Sequence, residues 1–95
     1  MSSEREQIQE RIYQWLLASN AFDAPYGVLK GHSTNGRARQ VTFGRSNILD
    51  ATVDVYGPRF MLLRWRAAIR KLPSDGQLKF ADATAMLNWI KENMI

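Results

Sequence analysis

On either side of Gly57-Pro58 the chain alternates apolar and polar residues: Ala51, Val53 and Val55 precede the turn, and Met61, Leu63 and Trp65 follow it. A period of two sends alternate side chains to opposite faces of a strand, so this stretch reads as a hairpin with one buried and one wet face. Pairing apolar with apolar gives the register. Tyr56 faces Phe60, Val55 faces Met61, Val53 faces Leu63 and Ala51 faces Trp65; on the wet side Asp54 meets Leu62, Thr52 meets Arg64 and Asp50 meets Arg66. Shortening the loop by one residue sets Asp54 against Met61 and mixes the faces, which a buried core forbids.

The same period continues outward between turn signals: Ser33-Thr34-Asn35-Gly36, Gly44, and Pro73-Ser74-Asp75-Gly76. Strands are predicted near residues 26–32, 37–43, 47–56, 59–70 and 77–80. Before them, Ser3 and Glu6 form a capping-box pattern, and Ile8, Ile12, Trp15 and Leu16 trace a helical stripe. That helix is expected to stop near Ser19-Asn20, since Pro25 disfavours helical geometry at Ala24. After the strands, Asp82 can cap a closing helix whose stripe is Ala83, Met86, Leu87, Ile90 and Met94, with Trp89 on its flank. Both helices need an apolar partner, and the 51/53/55/61/63/65 face supplies one. The expectation is a single domain over residues 1–95, either an α+β layer fold or a small capped barrel: an N-terminal helix, a five-stranded antiparallel meander, for which the small barrel is preferred, and a C-terminal helix. The long apolar strand 59–70 would be hazardous as a free edge. Edge pairing between copies, up to a closed ring, is the expected remedy, making the chain a homo-oligomer.

Several classes of chemistry are unsupported. With no cysteine, the 95 residues exclude disulfides, thiolate metal sites and cysteine nucleophiles. His32 is the sole histidine. Asp50 and Asp54 share a strand face but sit roughly 13 Å apart along it, too far for a carboxylate dyad. Neither is followed two residues later by lysine, and Gly27, Gly31, Gly36 and Gly44 form no nucleotide-binding pattern. A non-enzymatic protein with no cofactor is expected. No stretch approaches the roughly 20 apolar residues of a membrane span, and the N-terminus lacks the pattern of a signal or transit peptide, so a cytoplasmic location is expected.

Charge is the positive clue. Ten of the thirteen lysines and arginines lie between Lys30 and Lys79, against Asp50, Asp54 and Asp75, so the centre carries +7 and the flanks −3. Arg37 and Arg39 alternate next to a turn, Arg64 and Arg66 alternate on another strand, and Arg70-Lys71 follow. Guanidinium groups make planar, multi-donor contacts to phosphate, and Tyr56, Phe60 or Phe43 could stack on bases. The pattern points to single-stranded nucleic acid, RNA first. The other reading keeps the same residues for structure: Arg66 pairs with Asp50, Tyr56 and Phe60 cover a hairpin tip or a subunit contact, and the chain is an assembly protein such as a phage accessory component.

A capped helix followed by a short-turned five-strand meander resembles the Sm/LSm proteins, small SH3-like barrels that ring together through edge strands and bind RNA. The stretch from Gly36 to Trp65 is also similar to small proteins of marine phage and ocean metagenomes, some of which carry such a barrel. The resemblance implies the closed barrel, the ring, and a role for Arg70 at the RNA loop, because Ile69-Arg70-Lys71 retains two residues of the family's late isoleucine–arginine–glycine segment. The helix–strand–helix order is also similar to double-stranded-RNA-binding domains, but their basic motif has no counterpart in Asp82-Ala83-Thr84-Ala85.

Overall fold

A computed structural model describes residues 3–23 and 27–95. The elements run α1 (Glu4–Ser19), β1 (Val28–His32), β2 (Arg39–Arg45), β3 (Leu49–Gly57), β4 (Phe60–Ala67), β5 (Asp75–Phe80) and α2 (Ala83–Asn93). The expectations at Ala24, Pro25 and Tyr26 fall outside the described residues.

Both helices start and stop as their ends dictate. Ser3 Oγ accepts from the Glu6 amide at 3.2 Å, and Asp82 Oδ1 accepts from the Thr84 amide at 2.9 Å. Each satisfies a first-turn donor that has no partner within the helix. α1 closes on Asn20, whose φ of 55° turns the chain left-handed while its N–H donates to the Leu17 carbonyl. Asparagine tolerates that geometry better than most residues. Ile12 and Leu16 of α1 and Met86, Leu87 and Ile90 of α2 are buried. Gln9 is buried as well, which its polarity hides. Its amide donates to the carbonyls of Gly31 and Gln40, both at 2.8 Å, pinning α1 to β1 and β2, so the buried group is satisfied.

The sheet is an antiparallel meander in the order β1-β2-β3-β4-β5, each strand pairing only with its sequence neighbours. It stays open, with β1 and β5 as its edges, so the expected closed barrel is not formed. The reason lies in the core. The strands' apolar face does not fold onto itself but is covered by the helices, α1 over β1, β2 and β3, with α2 against α1 and β5. Phe43, Val53, Val55, Met61 and Leu63 fill that layer with Ile12, Leu16, Met86 and Ile90. β4 lies between β3 and β5, so its apolar run is protected within the sheet and, contrary to expectation, needs no second copy to cover it. Among the described residues no helix is long and apolar enough to cross a membrane.

The β3–β4 register is the one that apolar pairing requires: Ala51 with Trp65, Val53 with Leu63, Val55 with Met61, and on the other side Asp50 with Arg66, Thr52 with Arg64, Asp54 with Leu62. It departs at the tip, where Gly57 rather than Tyr56 opposes Phe60 and Tyr56 is the extra residue. At the other end, Asp75 and Gly76 belong to β5 instead of the preceding turn, because Gly76 pairs with Trp65 and lies directly against its ring.

Lys30 and Glu10 join β1 to α1 at 2.6 Å, both well exposed. Their hydrogen bond lowers the Glu10 pKa from 4.5 and raises that of Lys30 from 10.5. The Glu10 contribution is therefore complete above 4.5 and fades as pH falls through the lowered value. A carboxyl-detected NMR titration should place the Glu10 midpoint below 4.5 in the native chain and return it toward 4.5 in Lys30→Met.

Candidate nucleic-acid interface

Helices cover one face of the sheet, and the other is left to solvent. The uncovered face is read in rows across the strands. From the hairpin tip inward it carries Tyr56 and Phe60, then Gln40, Asp54, Leu62 and Lys79, then Thr42, Thr52, Arg64 and Gln77, and last Asp50, Arg66 and Asp75. Alternation along each strand puts these side chains opposite the core set.

The expected cationic set divides. Arg64 and Arg66 share the open face. Arg39 is on the helix side, with Nη2 3.3 Å from Glu6 Oε1. The sequence carried that signal: Arg39 has the parity of Val41 and Phe43, both buried. Arg37 is exposed in the β1–β2 loop. Arg70 and Lys71 lie in the β4–β5 loop, at the opposite end of the sheet from Tyr56 and Phe60, and Lys71 Nζ donates to the Glu92 carbonyl at 2.8 Å. Phe43 is in the core and is unavailable for stacking. A single patch of guanidinium groups is therefore not what the fold builds. On the open face three cations (Arg64, Arg66, Lys79) stand against three acids (Asp50, Asp54, Asp75).

Arg64 is committed. Asp54, only 3% exposed, takes Arg64 Nη2 at 2.9 Å on Oδ2 and Gln40 Nε2 at 2.6 Å on Oδ1. The ion pair is diagonal, since Asp54 directly opposes Leu62, and long side chains reach such neighbours. Arg66 and Asp50 face each other in register, yet neither forms an ion pair among the described residues. With Thr52, Gln77 and Asp75 they line a groove of about 440 Å³.

Tyr56 and Phe60 stack with ring centroids 4.8 Å apart and remain 38% and 41% exposed. Lys79 Nζ sits 5.1 Å from the Phe60 centroid. Arg59, next in the chain, makes no ion pair among the described residues. The neighbourhood of Lys79 to this aromatic pair was missed from sequence, because the β4–β5 register that brings Lys79 beside Phe60 depends on the Gly76–Trp65 packing.

His32 is exposed, with Nδ1 3.1 Å from the Ser33 carbonyl, and among the described residues no three histidine, aspartate or glutamate side chains gather at metal-binding distance.

Set against known proteins, the chain matches no family model, no curated protein and no solved structure. The Sm/LSm likeness thus rests on sequence pattern alone, and the exposed surface carries what can be said of function.

Proposed function

We propose that the protein is a non-enzymatic module that binds single-stranded nucleic acid, RNA first, across the open sheet face. One observation carries the reading: an exposed aromatic pair, Tyr56 and Phe60, on the uncovered face with Lys79 beside it and the exposed turn residue Arg59 next in the chain. Every base has a π-face, so such a platform accepts bases with little sequence preference, while neighbouring cations hold the backbone. Arg64, tied to Asp54, shapes the surface more than it attracts phosphate. The free edges of β1 and β5 add a second element to the proposal. Pairing them between copies would extend the sheet toward a ring of the Sm type and gather several platforms in one particle.

A fluorescence-anisotropy titration of a labelled single-stranded RNA across ionic strength tests this. Binding should tighten steeply as salt falls, and Arg59→Ala and Lys79→Ala should each flatten the log–log salt dependence by about 0.7 for every phosphate left without its cation. Unchanged slopes in both variants would remove the assigned cations from the interface.

The balance of three cations and three acids favours a second reading, that of an assembly protein whose open face meets a mixed-charge protein surface. Absence of RNA binding at low salt, with the chain sedimenting as a defined oligomer that Asp50→Ala dissolves, would select it.

A further inference from the structure

The end of the open face farthest from the aromatic pair has the wrong charge for phosphate. Arg66 stands between Asp50 and Asp75, one on each neighbouring strand in direct register. The row sums to −1, and strands about 4.8 Å apart keep the three groups within reach of one small ligand. None of the three is engaged in an ion pair among the described residues, and all line the same groove, together with the Thr52 hydroxyl and the Gln77 amide.

Carboxylates inside a polyanion-binding surface repel the backbone, so they favour binding only where they accept from a ribose 2′-hydroxyl, which every nucleotide shares, or from a base. The bases differ in what they offer. The Watson–Crick edge of guanine carries two adjacent donors, N1–H and the N2 amino group, matching the two oxygens of one carboxylate. Adenine, cytosine and uracil have no such pair of neighbouring donors. On its other edge guanine presents O6 and N7, the acceptors that arginine engages in a bidentate way. A guanidinium beside a carboxylate can therefore read both edges of one guanine, Arg66 on O6 and N7 and either Asp50 or Asp75 on N1–H and the N2 amino group, and no other base offers both sets.

We infer that the Asp50–Arg66–Asp75 row is a base-reading subsite selective for guanine. This rests on the single-strand-binding reading above and gives it a sequence preference. Backbone attraction belongs to the Arg59/Lys79 end, and base selection to the groove, roughly 20 Å along β4 from Phe60 at about 3.3 Å per residue.

The experiment is an anisotropy titration of the full chain with labelled 12-mer RNAs of repeating guanosine–adenosine, inosine–adenosine, cytidine–adenosine and uridine–adenosine. The guanosine repeat should bind about tenfold more tightly than the cytidine and uridine repeats, as one good bidentate contact provides. Inosine, which lacks the N2 amino group, should fall between them. In the Asp50→Asn/Asp75→Asn variant, both positions being exposed, the preference should vanish while affinity for the uridine repeat holds or rises, since two negative charges are gone. Equal binding of all four RNAs, or a guanosine preference that survives in the variant, overturns the base-reading inference and leaves the binding reading standing. No binding of any RNA at low salt overturns the binding reading itself.

Discussion

Replacing Arg64 with alanine should lower the unfolding free energy by about 3 kcal/mol, the scale of leaving a buried carboxylate without its charged partner. Asp54 is nearly sealed from solvent, and its two oxygens are divided between Arg64 and Gln40. Without the guanidinium, one neutral amide remains to compensate a full negative charge. Because the Arg64 side chain is itself half exposed at 49%, water will partly replace it, which keeps the expected loss at the lower end of the roughly 3–5 kcal/mol that breaking a buried pair costs. Urea denaturation of Arg64→Ala measures the loss, and Asp54→Leu/Arg64→Leu provides the control. Removing both charges together should cost less than removing Arg64 alone, because no unpaired ion is left. A single-variant loss under about 1 kcal/mol, against the scale for buried pairs, would mean that water already satisfies Asp54 and that Arg64 is free to serve a ligand. The outcome therefore bears on function: an arginine held by a buried aspartate is a fixed part of the surface, and its removal confounds any binding assay that does not also measure folding.

What the sequence reveals and conceals divides along one physical line. Features set by a local period were legible. Val53, Val55, Met61 and Leu63 forced the β3–β4 register through burial alone, and Ser3 and Asp82 marked helix starts because they cap specific amides. The buried parity of β2 is equally readable from Val41 and Phe43, and it places Arg39 on the helix side. Features set by how elements meet were concealed. Whether the meander closes depends on where α1 and α2 settle: the stripes of both helices mark the 51/53/55/61/63/65 face as their partner, but no local period says that they cover it so fully that the sheet stays open. The burial of Gln9 carries no local signal, because its two carbonyl acceptors come from strands more than 20 positions away. The Asp54 pair was hidden for the same reason: its Gln40 partner requires the β2–β3 register, and its Arg64 partner is diagonal rather than opposite. The +7 centre counted charges correctly and said nothing about which side of the sheet each one takes.

Gly76→Ala should destabilise the protein by about 2 kcal/mol, within the roughly 1–3 kcal/mol typical of forcing extra volume into a filled site. A Cβ at this position would lie 2.6 Å from Trp65 Cζ2 and 3.0 Å from two further ring atoms, so the indole would have to move. It has little room to do so. Its other neighbour is Trp89, with centroids 5.2 Å apart, and its Nε1–H donates to the Pro73 carbonyl at 3.3 Å. Retreat would press Trp89 toward Phe80 and break the bond that ties the β4–β5 loop to the sheet. The strain belongs to the contact and not to the backbone, since Gly76 does not need a left-handed φ. This distinction is measurable. In a double-mutant cycle by thermal or urea unfolding, Gly76→Ala should cost much less in a Trp65→Leu background than in the native one, giving a coupling of about 1 kcal/mol or more, as residues in direct contact do. Equal costs in both backgrounds would place the effect in the backbone and contradict the packing account. The same variant reports on the groove, because Trp65 and Gly76 form part of its lining beside Arg66 and Asp75. If β5 is pushed away from β4, Asp75 moves away from Arg66, and the guanosine preference should weaken while binding at the Tyr56–Phe60 end persists.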